Sequence, residues 1–226
     1  MSKKSMATVK QGEAMQDSTM KQIRIEPIKR LWFRITIKQR GTSVYVSHAW
    51  SEKARKMLRL TAAERKKLVK EKRDPDREAA FSKYFTKDGE VGIPAMAFKK
   101  SLITAAHKDI GFEKTTLRKA IFIICPDANG VLPMKYDEAV IREDMVRVGQ
   151  NQTDLRYRPE FRNWRISIPI EIDNLLLTVQ DVINLTNRAG FGVGIGEWRP
   201  EKDGEWGRFE VDTSVPIETL PLDGDA

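Results

Sequence analysis

The stretch from Ala189 to Val211, "AGFGVGIGEWRPEKDGEWGRFEV", combines glycines with arginines and tryptophans. Glycine allows positive φ and lets a second chain, such as a phosphate backbone, come close. Arginine can follow phosphates, and tryptophan can stack on bases. A glycine-rich hairpin without a ligand is the alternative interpretation. The residues predicted to bind here are Gly192, Gly194, Gly196, Trp198, Arg199 and Arg208, with Trp206 as a second stacking surface.

A basic segment is the second feature that could do chemistry. The net charge is +8, and Lys53 to Arg73 alone holds ten basic and two acidic residues. Such asymmetry favours a polyanionic partner, most often nucleic acid. Lys66, Lys67 and Lys70 are its predicted contacts. The alternative is a helix whose charged face is simply solvated.

Residues suited to acid–base, thiol or metal chemistry are few. His48 follows the first predicted strand, whereas His107 falls late in an amphipathic helix. Cys125 lies in "IFIIC", where it is interpreted as a buried small hydrophobe, and a single cysteine excludes an internal disulfide. Two histidines and one cysteine make a structural zinc site implausible. There is no Gly-Lys-Ser/Thr phosphate loop and no acidic cluster for two metals, so no cofactor or metal is predicted.

Composition sets the class of protein. Hydrophobic residues make up 40%, mean hydropathy is −0.48, and no apolar run approaches the roughly 20 residues of a membrane helix. The first residues lack the apolar core of a secretory signal. We therefore expect a cytoplasmic protein without a membrane partner. Residues 1–21 are predicted to be a mobile tail and 213–226 an acidic tail.

Three alternating or apolar runs predict strands. Leu31 to Lys38 alternates, as does the run from Trp164 to Ile172, and each should bury one face. Pro169 lacks an N–H, so the second of these strands is expected at an edge or locally broken. Ala120 to Cys125 is continuously apolar, which predicts a central strand covered on both faces. "WGRFEV" is the last strand.

Two amphipathic helices are predicted between these strands. The first accepts Pro94 in its first turn, carries an apolar stripe and stops at Gly111. The second is capped by Thr178, has Asp181 in its first turn and ends at Gly190. The predicted inward residues are Phe98, Leu102, Ala105 and Ala106 of the first helix and Val179, Val182, Ile183 and Thr186 of the second.

Strand, helix, strand, strand, helix, strand is the order of the ferredoxin-like β-α-β-β-α-β fold. We therefore predict an α+β protein whose antiparallel sheet carries two helices on one face. It forms a single domain over residues 22–212, with large insertions at 39–92 and 126–162. The part of the second insertion from Val131 to Pro159 is predicted to be irregular and polar.

The helix "IPAMAFKKSLITAA", entered from a Gly-Ile-Pro, and the glycine-rich loop after the second helix resemble the RAMP superfamily. These proteins are RNA-binding backbone and processing subunits of CRISPR effector complexes. Ile93, Pro94, Lys99 and Lys100 match the family pattern, which implies nucleic-acid contacts for Lys99 and Lys100. The chain also resembles uncharacterised proteins of tailed phages and prophages around "HAWSEKA", "REDMVRVG" and "GFGVGIGEWRPEKDG". It does not resemble a standard CRISPR subunit, so guide binding and interference are not carried over.

The resemblance implies assembly side by side in helical filaments. It also implies an extended hairpin between the second and third core strands that folds over the bound strand. The insert from Val131 to Pro159 lies at that position, and a solvent-exposed hairpin with incidental charge is the alternative. It contains Met145 and Gln150, and its predicted binding residues are Arg147, Arg156, Tyr157 and Arg158.

Three functions are consistent with these observations. The first is a non-enzymatic protein of phage origin that binds single-stranded RNA or DNA and forms a homo-oligomer along it. The second is a phage structural or anti-defence module that uses the fold to bind a phage or host protein. The third is a metal-independent endoribonuclease with His48 as general base, because some RAMP proteins cleave RNA with a histidine.

Overall fold

The computed structural model describes residues 26–50, 58–61, 63–64, 73–149 and 152–220. The predicted contacts Lys66, Lys67 and Lys70 and the predicted tail at 1–21 lie outside these residues. The strands are β1 (Arg30–Gln39), β2 (Tyr45–Val46), β3 (Tyr84–Phe85), β4 (Val91–Pro94), β5 (Ile121–Ile123), β6 (Val131–Lys135), β7 (Glu138–Val148), β8 (Gln152–Arg162), β9 (Arg165–Asp173), β10 (Phe209–Val211) and β11 (Glu218–Leu220). The helices are α1 (Pro75–Phe81), α2 (Ala95–Ile110), α3 (Lys114–Ala120) and α4 (Val179–Gly192), with a 3-10 turn at Pro200–Lys202.

Two antiparallel sheets organise the described chain. The larger has the strand order β10-β1-β9-β6-β4-β3, with β11 also paired to β1 and β5 also paired to β9. The smaller has the order β2-β8-β7. The predicted α+β class is therefore confirmed. Within the segment predicted as an acidic tail, β11 pairs with Trp32–Arg34 and so belongs to the sheet.

The alternation of β1 and β9 is confirmed and defines the core. Ile35 lies opposite Ile168 and Ile37 opposite Ile166, and all four side chains are buried. Helices α2 and α4 pack on this face, and Phe98 of α2 meets Phe209 of β10 with ring centroids 5.9 Å apart. The predicted stripe of α2 is buried, and α2 ends at Gly111 with φ +73°. Pro94 ends β4 and immediately precedes α2.

Pro169 lies where pairing on one side of β9 is interrupted, although β9 as a whole is not an edge strand. β9 is continuous and lies between β1 on one side and β5 and β6 on the other. β5 pairs with residues Ile170–Ile172 of β9. β6 pairs with Arg165 and Ile166 of β9 and with no residue between Ile166 and Ile170. Pro169 thus falls in the gap between these two partners, where its carbonyl accepts a hydrogen bond from Ile124 N at 2.9 Å. A central strand tolerates proline there because no ladder bond requires the missing N–H.

The expectation for Ala120 to Cys125 was wrong. β5 is three residues long and, among the described strands, pairs only with β9. Ile121 is buried, but Phe122 is 47% exposed. Ala120 ends α3, a short helix that the sequence analysis did not predict. An apolar run cannot show whether a second strand or helix will cover it.

Helix α4 begins as predicted and ends later. Thr178 and Asp181 form a reciprocal capping box. The helix passes through Gly190 and ends at Gly192, so Gly190 is not the stop. A Cβ at Gly190 would lie 1.9 Å from the carbonyl oxygen of Phe209. This glycine is needed because α4 packs directly on the backbone of β10.

The segment from Val131 to Pro159 is regular, contrary to the expectation from its polar sequence, and the extended hairpin that the resemblance implies at this position is confirmed. β6 joins the large sheet, and β7 and β8 form a long hairpin in which Arg142 lies opposite Arg158 and Met145 opposite Leu155. Alternate residues project to opposite sides of a strand. One side of the hairpin carries Arg142, Asp144, Arg156, Arg158 and Glu160, and is called here the loop-facing side. Helix α1 packs on the other side, beside Ala139, Ile141 and Pro159.

Candidate nucleic-acid interface

Four aromatic side chains support the glycine-rich loop. Tyr45, Phe161, Trp164 and Phe209 are buried, and Tyr45 contacts Phe161 and Trp164 at centroid distances of 6.1 and 5.9 Å. Trp164 Nε1 donates a hydrogen bond to the carbonyl of Ser43 at 3.2 Å. This cluster joins the two sheets. The loop covers it, with Ile195 buried and Glu197 N donating to the carbonyl of Val46 at 3.0 Å.

The loop glycines are packed against the protein itself. Gly196 and Gly207 have φ of +81° and +68°. A Cβ at Gly196 would lie 2.7 Å from the Tyr45 ring, and one at Gly207 would lie 1.7 Å from the carbonyl oxygen of Ile195. Gly194 is similarly confined by Arg199 and Pro200, whereas a Cβ at Gly192 would meet only the Asp109 carboxylate, at 3.8 Å. Packing thus accounts for the glycines at 194, 196 and 207, and contact of the loop with a ligand stays a prediction.

The loop and the hairpin meet at one end of the large sheet. The Arg142 guanidinium lies over the Trp206 ring, 5.6 Å from its centroid. Arg158 Nη2 is 4.0 Å from a carboxylate oxygen of Glu197 in the loop. Arg142 is also paired with Asp144 at 2.9 Å and with Glu160 at 3.0 Å. The structure therefore brings together the two segments in which binding residues were predicted.

Two predicted arginines of the loop-facing side are incompletely hydrogen-bonded. Arg158 is 5% exposed, and its Nη1 lies 3.5 Å from Asp144. Its Nε is buried without a hydrogen-bond partner among the described residues. Its Nη1 and Arg156 Nε are also buried without a hydrogen bond there, although Arg156 Nε lies 3.1 Å from the Asp154 carboxylate in an ion pair. Buried N–H groups without partners are uncommon in proteins and mark positions where a ligand can supply the missing acceptor.

The two predicted loop residues Trp198 and Arg199 differ in how accessible their side chains are to a ligand. Trp198 is 37% exposed and has φ +54°, a conformation that is rare for a residue with a bulky side chain. Arg199 donates to the carbonyl of Gly196 and to the Glu201 carboxylate, both at 3.0 Å. A phosphate contact by Arg199 would have to replace these bonds.

A cleft opens beside Trp206. It has a volume of about 280 Å³ and is lined by Arg40, Gly41, Thr42, Ser43, Glu205, Trp206 and Arg208. Arg40 and Arg208 both lie over the ring of Phe191, at 5.3 and 4.9 Å from its centroid. Arg40, Arg142, Phe191, Trp206 and Arg208 are called here the rim. Arg40, Arg142 and Phe191 were not predicted as site residues, because no local pattern links residues so far apart in the chain.

Other predicted residues lie elsewhere. Lys99 donates to the carbonyl of Arg118 in α3 at 3.1 Å and lies over Phe122 of β5, and partial burial lowers its pKa. Lys100 follows it on α2 and is exposed. Arg147 and Tyr157 project to the side of the hairpin opposite the loop. These four residues are not joined to the rim by any described contact.

His48 pairs with a carboxylate of the loop. Its Nδ1 is 3.2 Å from Glu197 Oε1, and one third of its side chain is exposed. The hydrogen bond with His48 is the main cause that lowers the pKa of Glu197, and burial opposes it. Tyr84 donates from its hydroxyl to the His48 carbonyl at 3.1 Å. By contrast, His107 Nδ1 is 3.3 Å from the carbonyl of Phe112, at the exposed end of α2.

Charge is distributed unequally between the described and the remaining residues. The described residues hold nearly equal numbers of basic and acidic side chains, so the surplus lies mainly in the segments outside them. In the part of the chain that the structure describes, no cluster of three or more His, Cys, Asp or Glu could hold a metal ion. No helix there is long and apolar enough to span a membrane.

No protein-family model matches the sequence, and no curated protein matches it either. Among solved structures, the chain is similar to a chain of the "Cryo-EM structure of the Type III-B Cmr-beta bound to cognate target RNA", with a TM-score of 0.49 and 10% sequence identity. The similarity covers 85% of this chain and 61% of that chain. The present chain therefore spans less than two thirds of the length of this structural relative.

Proposed function

We propose that this protein is a non-enzymatic module that binds single-stranded nucleic acid across the rim. The contact between Trp206 of the loop and Arg142 of the hairpin carries the proposal. It places an aromatic ring and a guanidinium together beside an open cleft, at the junction of the two segments. Single strands are bound by such combinations, since bases stack on rings while basic side chains follow the phosphates.

The proposal includes a ferredoxin-like, RAMP-like core. The strand order β10-β1-β9-β5 supports it. In chain order, β1, β5, β9 and β10 are the first, second, third and fourth predicted core strands, so the sheet order is fourth, first, third, second. Helices α2 and α4 connect these strands as the β-α-β-β-α-β pattern requires. In this arrangement the glycine-rich loop leads from α4 to β10, and the hairpin leads into β9.

The arginines of the rim are suited to binding because they are held in place before a ligand arrives. A guanidinium resting on an aromatic face loses little further freedom on binding. The basic segment from Lys53 to Arg73 would add sequence-independent attraction through counterion release. The bound strand is RNA or single-stranded DNA, and self-assembly along the strand and phage origin are further parts of this proposal.

Binding of fluorescent oligo(U) and oligo(dT) to the full chain, measured by anisotropy, tests the proposal. Trp206→Ala should weaken binding by about 1–3 kcal/mol, the value of one lost stack. Phe85→Ala is the matched control, since Phe85 is 42% exposed on β3 at the far edge of the sheet. Absence of wild-type binding to both probes would exclude the function, and equal effects of the two substitutions would exclude the rim as its site.

A metal-independent ribonuclease is the second candidate, favoured by the His48–Glu197 contact. A carboxylate that holds one imidazole nitrogen can orient the ring for proton transfer by the other. Cleavage of single-stranded RNA in EDTA that is lost in His48→Ala, but kept in His107→Ala, would establish this activity. Its absence from the wild-type protein would leave the non-enzymatic function as the proposal.

A further inference from the structure

Phe191 holds two arginines that come from distant parts of the chain. Its side chain is 59% exposed near the end of α4. The guanidinium carbons of Arg40 and Arg208 lie 5.3 and 4.9 Å from its ring centroid, so they are no more than about 10 Å apart. Two guanidinium groups therefore share one aromatic ring, and both arginines line the cleft.

The backbone fixes this arrangement. Arg40 N donates to the carbonyl of Arg208 at 3.1 Å, directly after the last paired residues of β1 and directly before β10. Ser43 Oγ accepts from Arg208 N at 2.9 Å and donates to the carbonyl of Glu205 at 2.7 Å. The close packing of Gly190 on Phe209 sets the distance between α4 and β10. The three side chains are thus positioned by rigid elements and not by a free loop.

The carboxylates of the protein satisfy these arginines only loosely. Arg40 is 3.4 Å from Glu210, and Arg208 is 3.9 Å from Glu205, which is 81% exposed. Arg208 Nε is buried and has no hydrogen-bond partner among the described residues. Solvent-exposed ion pairs of this kind are weak, so a stronger acceptor can replace them.

We propose that Arg40 and Arg208 form a clamp for a phosphodiester group of the bound strand. This inference rests on the function proposed above and adds Arg40 and Phe191 to its site. A phosphate is the ligand of choice because guanidinium groups bind its oxygens through two parallel hydrogen bonds. The Phe191 ring contacts both guanidinium groups, and its proposed role is to hold them in position. Trp206 is the residue proposed to stack on a base.

The salt dependence of oligo(U) binding tests the clamp. Arg40→Gln and Arg208→Gln should each lower affinity on the order of tenfold and flatten the slope of log affinity against log salt by about 0.7. Phe191→Leu keeps an apolar side chain without the π face and should lower affinity about threefold. Thermal unfolding of each variant should show that the fold is kept.

Arg34→Gln is the matched control. Arg34 lies on β1, roughly 20 Å from Arg40 at about 3.3 Å per residue, and its partly exposed side chain is paired with Glu218 at 2.8 Å. The Arg34→Gln substitution should leave both the affinity for oligo(U) and the slope of log affinity against log salt unchanged. Wild-type affinity and slope in the Arg40→Gln/Arg208→Gln double variant, with Trp206→Ala still impaired, would overturn the clamp and leave the proposed function standing. Failure of the wild-type protein to bind would overturn both.

Discussion

In the glycine-rich loop, the space beside the glycines with positive φ is filled by the protein itself. On the loop-facing side of the hairpin, buried arginine N–H groups form no hydrogen bond with the residues that the structure describes. Gly196 rests on the Tyr45 ring, and Gly207 on the carbonyl of Ile195. Arg158, by contrast, has a buried Nε without a hydrogen-bond partner among the described residues, and the buried Nε of Arg156 has only an ion pair with Asp154. The two segments meet at the rim, but the capacity to bind differs between them.

This difference changes the meaning of the glycines. In the sequence they are a reason to expect a phosphate backbone close to the loop. In the structure they let the loop fold tightly over the aromatic cluster, which places Trp206 against Arg142. The glycines of the loop are therefore expected to contribute shape and stability, and Trp206 and the arginines of the rim and hairpin to contribute affinity.

The largest effect is expected from Gly207→Ala. A Cβ there would lie 1.7 Å from a backbone oxygen at φ +68°, so the loop must move or the residue must be strained. We expect the free energy of unfolding to fall by roughly 3 kcal/mol or more, measured by denaturant titration. Gly192→Ala is the control and should change stability little, because its Cβ has room. Equal stability of the two variants would show that the loop is not tightly packed.

The next effect separates the two sides of the hairpin. Arg156→Gln, on the loop-facing side, should weaken oligo(U) binding on the order of tenfold with little change in stability. Arg147→Gln, on the other side, removes the same charge and should leave binding unchanged. If an anisotropy titration showed a larger loss of affinity for Arg147→Gln than for Arg156→Gln, the ligand would lie on the side of the hairpin that faces α1.

A smaller effect is expected from Trp198→Ala. The side chain is partly exposed, so we expect a loss of about 1 kcal/mol of binding free energy without unfolding. Melting temperature and affinity should be measured on the same variant. A lowered melting temperature with unchanged affinity would make Trp198 a packing residue of the loop.

The smallest effect concerns pH. The pKa of Glu197 lies below its ordinary value of 4.5, mainly because of the hydrogen bond with His48. A lowered folded-state pKa contributes stability above the unfolded pKa, and this contribution is lost as pH falls through the folded value. Glu197→Gln should therefore reduce the loss of stability on acidification below about pH 4.5. The exposed Glu205→Gln is the control, and identical acid titrations of the wild-type protein and Glu197→Gln would contradict the expectation.

Elements with a local cause were predictable from the sequence. The alternation of β1, the apolar stripe of α2 and the Thr178 capping box depend on residues within one or two turns of one another. The length and regularity of the hairpin did not follow from its polar sequence. Its charged residues are paired across strands, as Arg142 is with Glu160, and that pairing is visible only once the register is known.

By itself the sequence determined the α+β class, the presence of the two main helices and the start of α4 at its Thr178 cap, and the presence of arginine and tryptophan among glycines. Tertiary structure alone decided that β9 is central despite Pro169, that Gly190 is a packing residue, and that Arg40 and Arg208 meet on Phe191. The physical reason is the distance along the chain over which each interaction acts. Periodicity and capping act within a few residues, whereas a gap in a ladder, a close approach of backbones or a shared aromatic platform exists only when distant segments are brought together.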